Sequence, residues 1–105
     1  MGVNNEVNKY IKNFLNVNGI VPNEANYLET GLQYGNSVQN ALNLKFGKII
    51  SIEINKDFIQ KANEKFKNEI KNSRVILIEG DSQKKLKEVF NKDINIFFFR
   101  CSWFW

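Results

Sequence analysis

Tyr27-Leu28-Glu29-Thr30-Gly31-Leu32-Gln33-Tyr34-Gly35-Asn36-Ser37-Val38-Gln39-Asn40-Ala41-Leu42 is the stretch on which the reading turns. A short run ending at Tyr27-Leu28 leads into Glu29, glycines follow at Gly31 and Gly35, and Val38, Ala41 and Leu42 begin a helical apolar period. The pattern predicts a strand, a glycine-bearing turn and a helix opened by Asn36-Ser37 as capping residues. Glycine lets a ligand approach the backbone closely, and a helix N-terminus offers free N–H groups and partial positive charge. Glu29, just before the turn, stands where it can face the cationic or hydroxyl part of a small ligand. That is the layout of a nucleotide-type cofactor site.

Around this stretch the chain alternates. Asn5 to Val17 places Val7, Tyr10, Ile11, Phe14 and Leu15 at helical spacing, predicting an amphipathic helix that packs on a sheet, stopped by Asn18-Gly19. Pro22-Asn23 marks the loop before the first strand. The helix from about Ser37 ends near Phe46-Gly47, and Lys48 to Ile54 reads as a buried β-branched strand. A long helix follows from Asn55 or Lys56 to about Asn72, with Phe58, Ile59, Ala62, Phe66 and Ile70 on one stripe. Val75 to Ile78 is a third strand, closed by Glu79-Gly80-Asp81. Ser82 caps a helix carrying Leu86, Val89 and Phe90, and Ile94 to Phe99 is a fourth strand. The order is helix, then β-α-β-α-β-α-β, an α/β, Rossmann-like parallel sheet with right-handed crossovers and flanking helices. Ligands on such sheets bind beyond the carboxyl ends of the strands, where Glu29, Glu53 and Asp81 all fall. The implied division is a helix and linker over 1–25, a partial Rossmann-like domain over 26–99 and an aromatic tail over 100–105.

Composition sets the class. The chain has 105 residues, 43% apolar and 25% charged, enough for one domain with a core. The net charge of +4 comes from lysines interleaved with acids along the helices, with no basic stripe beside aromatics, so no nucleic-acid partner is expected. The first residues are polar, and Glu6 stands where a myristoylation site wants Ser or Thr, so neither a secretory leader nor a membrane attachment is expected. The single Cys101 cannot form an internal disulfide and suits a reducing, cytoplasmic setting.

Glu29-Thr30-Gly31 with Gly35-Asn36-Ser37, Ile52-Glu53, and Glu79-Gly80-Asp81-Ser82 resemble the first three motifs of class I S-adenosylmethionine-dependent methyltransferases, over roughly Tyr27 to Phe98. The resemblance implies that Gly31 to Gly35 cradle the methionine part of S-adenosyl-L-methionine, with Thr30 and Ser37 among the cofactor-binding residues. It also implies that Glu53 binds the ribose hydroxyls and that Asp81, with Ser82, lies by the adenine. Glu29 can favour the cofactor's ammonium, and Tyr34 either stacks on a ligand or simply covers the sheet. The chemistry agrees: a carboxylate accepts two hydrogen bonds from adjacent hydroxyls in fixed geometry, and catalysis in this class is largely placement of a nucleophile in line with the methyl. A dinucleotide site would want Gly-x-Gly-x-x-Gly, but Gln33 stands at the second glycine position. No metal site is expected.

The resemblance also marks what is lacking. Complete members have seven strands and draw most substrate-binding and catalytic groups from the end of the fourth onward. Here there is no histidine, and Arg100 to Trp105 has no counterpart in the family, so no catalytic residue is assigned and an impaired, truncated enzyme is expected. The Phe97-Phe98-Phe99 codons imply a run of T, which makes a reading-frame slip at the tail an expectation too. A fourth strand without a neighbour is a pairing hazard, so self-association through that edge, or a noncatalytic interaction module built on it, is the alternative.

Overall fold

The computed structural model describes residues 5–98. It contains α1 (Asn5–Val17), a 3-10 turn (Pro22–Glu24), β1 (Asn26–Thr30), α2 (Asn36–Asn43) and β2 (Lys48–Glu53). There follow α3 (Lys56–Lys65), α4 (Lys67–Lys71), β3 (Val75–Glu79), α5 (Ser82–Val89) and β4 (Ile96–Phe98). The isoleucine run of β2 and the Val75-Ile76-Leu77-Ile78 run of β3 become strands because branched side chains pack well on a pleated, buried surface. All neighbours pair in parallel, in the spatial order β3-β2-β1-β4. The chain therefore steps outward from β1 to β3 and then returns to the far side of β1. In open sheets of this kind ligands bind beyond the carboxyl ends of the strands at such a reversal, here β1 and β4.

Strand alternation sorts the core into two layers. Tyr27, Ile49 and Val75 face α1, α2 and α3, where Ile11, Leu15, Val38, Ala41, Ala62 and Phe66 complete the larger cluster. Leu28, Ile50 and Ile52 face the other way, towards Leu86 and Val89 of α5. Among the described residues that second face carries one helix. Phe90 and Phe97 meet edge-on beside it, ring centroids 5.3 Å apart, and remain partly exposed.

Several boundaries differ from the sequence reading. On α1, Ile11 and Leu15 are buried, but Tyr10 and Phe14 lie in solvent, because the i, i+4 ridge of Val7, Ile11 and Leu15 alone reaches the sheet. The long helix expected up to about Asn72 is interrupted at Phe66 (φ −108°, ψ 27°), although Phe66 and Ile70 keep their places in the core. α2 ends at Asn43, and Lys45 takes a left-handed turn (φ 73°) that lays Phe46 against Tyr27, centroids 5.3 Å apart. β4 is shorter than Ile94 to Phe99, since Ile94 belongs to the preceding turn. Residue 99 and the tail over 100–105 lie outside the described residues.

Side chains lock the layers. The Arg74 guanidinium donates to the carbonyls of Phe46 (3.0 Å) and Leu42 (3.2 Å), tying the end of α2 and the turn after it to the start of β3. Asn8 and Asn40 exchange amide hydrogen bonds of 3.0 and 2.9 Å between α1 and α2. Asn95 Oδ1 accepts from the Asn26 N–H at 2.7 Å, fixing the start of β4 against β1. Among the described residues, no helix is long and apolar enough to cross a membrane.

Candidate cofactor site

Three turns meet at the carboxyl edge of the sheet, and their backbones are tied in series. The Gly31 N–H donates to the Ile52 carbonyl at 2.8 Å, and the Gly80 N–H donates to the Glu53 carbonyl at 2.9 Å. The first turn takes left-handed dihedrals at alternate residues: Gly31 (φ 82°), Gln33 (φ 50°) and Gly35 (φ 84°). Leu32, fully buried, anchors its middle, and Gly35 N–H closes it on the Leu32 carbonyl at 3.0 Å.

Gly35, not Asn36-Ser37, is the N-cap of α2, and no side chain caps the helix. The expectation of a capping side chain there is thus corrected: a left-handed residue immediately before the helix demands glycine, which pushes Asn36 and Ser37 into its first turn. Ser37 is 1% exposed, and its Oγ is a buried hydroxyl with no hydrogen-bond partner. A buried hydroxyl without a partner costs about 1–3 kcal/mol.

Glu53 closes β2 and is 7% exposed. Its Oε1 accepts the Gln33 N–H at 3.0 Å and its Oε2 the Asn55 N–H at 2.9 Å. Asn55 in turn caps α3, its Oδ1 accepting from Asp57 N–H at 2.8 Å. Glu29 lies inside β1, 1% exposed, with Oε1 accepting from the Tyr27 hydroxyl at 2.9 Å and Oε2 from Ser51 Oγ at 2.7 Å. Thr30 ends the strand, also buried, its side chain on the opposite face to that of Glu29.

Asp81 and Ser82 follow β3. Asp81, rather than Ser82, caps α5: its extended backbone (φ −70°, ψ 124°) lets Oδ1 accept the Gln83 N–H at 2.8 Å, and a carboxylate there also suits the helix dipole. Ser82 becomes the first helical residue. Tyr34 is 70% exposed and leans edge-on against Phe58, centroids 5.2 Å apart. The exposed pair Lys56–Glu79, 4.0 Å apart, borders the site and contributes little to stability. Among the described residues no three His, Cys, Asp or Glu side chains converge as a metal-binding group.

The structure therefore gathers Gly31, Gln33, Gly35, Glu53 and Asn55 into one connected edge, with Asp81 and Ser82 one strand further out. Tyr27, Gln33, Ser51 and Asn55 were not singled out from the sequence. Ser51 carried a legible sign, as one polar residue within Ile49-Ile50-Ser51-Ile52, where a buried hydroxyl needs a partner.

A parallel sheet reversing beside β1, with a glycine turn after β1 and an acid ending β2, has the fold of class I S-adenosylmethionine-dependent methyltransferases. Two solved structures carry the same architecture. A Podospora anserina methyltransferase, PaMTH1, solved with SAH bound, superposes with a TM-score of 0.60 at 28% identity, over 70% of this chain and 32% of its own. A Staphylococcus aureus protein assigned as a caffeoyl-CoA O-methyltransferase superposes with a TM-score of 0.66 at 23% identity, over 90% of this chain and 44% of its own. The chain thus spans about a third of the first and under half of the second. No family model and no curated protein matches the sequence.

Proposed function

We propose that residues 26–98 hold S-adenosyl-L-methionine, as the cofactor-binding portion of a class I methyltransferase. The observation that carries this is the Glu53 carboxylate, fixed at the strand edge beside the glycine loop. Each of its oxygens accepts one N–H from the chain, and a carboxylate has about four acceptor positions, so two adjacent hydroxyls of a ribose can still be bound. The orphaned Ser37 Oγ in the first turn of α2 offers a donor to the amino-acid end of the ligand, and the glycine loop admits close backbone approach. These features fit the cofactor, with SAH bound in PaMTH1 in support.

In this reading Glu53 binds the ribose, Gly31 to Gly35 with Thr30 and Ser37 surround the methionine part, and Asp81 with Ser82 lies on the adenine side. Glu29 acts from within the sheet, and Tyr34 shields the loop from outside. The cofactor, when bound, supplies an electrophilic methyl; the chain's own residues orient it. We assign no residue over 26–98 to activating the acceptor, so this chain alone is expected to bind without turnover, in a reducing, cytoplasmic setting.

Calorimetric titration tests the ribose assignment: Glu53→Ala is expected to weaken S-adenosylmethionine binding by about 1.5–3 kcal/mol, the worth of hydrogen bonds to a charged group. Unchanged affinity in a folded variant sinks it. A second reading rests on the groove of about 820 Å³ beside β4, lined by Lys84, Leu86, Lys87, Phe90 and Phe97. It makes the chain an interaction module pairing with a second copy through the β4 edge, and concentration-dependent sedimentation without cofactor binding is its signature.

A further inference from the structure

Glu53 joins two segments that no local pattern connects. Its Oε1 accepts the N–H of Gln33 at 3.0 Å, in the middle of the glycine loop, while Oε2 accepts the N–H of Asn55 at 2.9 Å, at the cap of α3. Gln33 is a residue with a side chain held at φ 50°, in the left-handed region that L residues enter only at a cost. Something must hold it there. A hydrogen bond from a backbone N–H to a carboxylate is roughly twice as strong as a neutral one, and at 7% exposure water competes with it poorly.

We propose that Glu53 is a positioning residue for the glycine loop, latching Gln33 in its left-handed conformation before any cofactor arrives. The latch makes the loop and the second strand end one unit. A ligand whose hydroxyls engage Glu53 then meets a loop already set, and the ordering cost of binding falls. The loop part stands on this chain alone, whereas the coupling to ligand rests on the S-adenosylmethionine reading above.

Hydrogen exchange of the ligand-free chain tests the latch. In Glu53→Ala the Gln33 and Asn55 amides should exchange at least about tenfold faster, the equivalent of one lost charge-assisted bond. The Ile49 amide, bonded to the Arg74 carbonyl at 2.8 Å, should change far less. Equal acceleration of all three, or no change at Gln33, overturns the proposal. If Glu53→Ala does not fold, Glu53→Gln keeps one acceptor oxygen, and one of the two amides must still accelerate. The coupling has its own arm. Gln33→Gly removes the need for the latch, so in the Glu53→Ala background it should recover SAH affinity about threefold or more, the benefit of a loop released from left-handed strain. Binding by the unsubstituted chain without that recovery overturns the coupling. Absence of binding by the unsubstituted chain overturns the cofactor reading instead, and the exchange result alone then decides the latch.

Discussion

Gly47→Ala is expected to be among the most damaging single substitutions in the chain, although Gly47 lies far from the site. A β-carbon there would fall 2.1 Å from the backbone oxygen of Asn23 and 2.9 Å from its carbonyl carbon. Carbon and oxygen rarely approach within about 3.3 Å, so the two backbones must part by about 1 Å. They cannot part freely. Gly47 N–H donates to the carbonyls of Pro22 and Ala25, both at 3.2 Å, and Lys48 N–H donates to Ala25 as well. These bonds bring the turn before β2 against the turn before β1. Overpacking of side chains costs about 1–3 kcal/mol, and a backbone clash belongs at or beyond the upper end. Urea unfolding followed by circular dichroism should show the loss as a lowered midpoint. An unfolding free energy within about 0.5 kcal/mol of that of the unsubstituted chain, the usual range for an innocuous surface change, would contradict this packing.

Gly35→Ala is the second, and it reaches the site directly. Two costs coincide there. Gly35 is left-handed at φ 84°, which costs a residue with a β-carbon about 1–2 kcal/mol. The same carbon would also lie 2.9 Å from Phe66 Cε2, and Phe66, 1% exposed, has no open space to yield into. Crowding of that kind adds about 1–3 kcal/mol. The expected total is therefore about 2–5 kcal/mol in unfolding experiments, with a displaced start of α2. The components separate by substitution. Gly35→Asn should recover part of the dihedral cost, because asparagine tolerates the left-handed region, but none of the crowding. Adding Phe66→Leu to Gly35→Ala should recover part of the crowding. Recovery by neither would mean that the glycine is required for another reason.

The sheet was legible because its information is local. β2, β3 and β4 are runs of branched or aromatic residues, and each crossover helix carries its own apolar stripe, so alternation implies a parallel α/β sheet. The acids at the strand ends were legible for the same reason: Glu53 is the last residue of β2, and Asp81 lies two residues past β3. What stayed hidden depends on partners distant in the chain. Nothing near Gly47 reports that Asn23 lies against it, and nothing near Arg74 reports the carbonyls of Leu42 and Phe46 to which it donates. The break at Phe66 was invisible because the apolar stripe runs through it unchanged. Capping was misassigned where two candidates stood side by side: Asp81 precedes Ser82, and Gly35 precedes Asn36-Ser37. In both cases the backbone dihedral chose the earlier residue.

Glu29 shows how much of a residue's surroundings a sequence hides. The sequence places it just before the glycine turn, facing a ligand, whereas it lies inside β1 with both carboxylate oxygens bonded within the sheet. Its inward orientation followed only from the register, which sets Ser51 directly opposite, and from Tyr27 two residues earlier on the same face. Two hydroxyls on one buried carboxylate make it a fixed part of the sheet. Gln33 was hidden more thoroughly, since its contribution is a backbone N–H that any residue except proline could supply.

The central claim is that the turns after β1, β2 and β3 form one S-adenosylmethionine site. Isothermal titration of this chain with S-adenosylmethionine, and in parallel with NAD, tests it most directly. The account predicts saturable one-to-one binding of the methyl donor, no saturable binding of the dinucleotide, and binding weakened by about 1.5–3 kcal/mol in Glu53→Ala. Preference for NAD, or a folded chain that binds neither ligand, would contradict it.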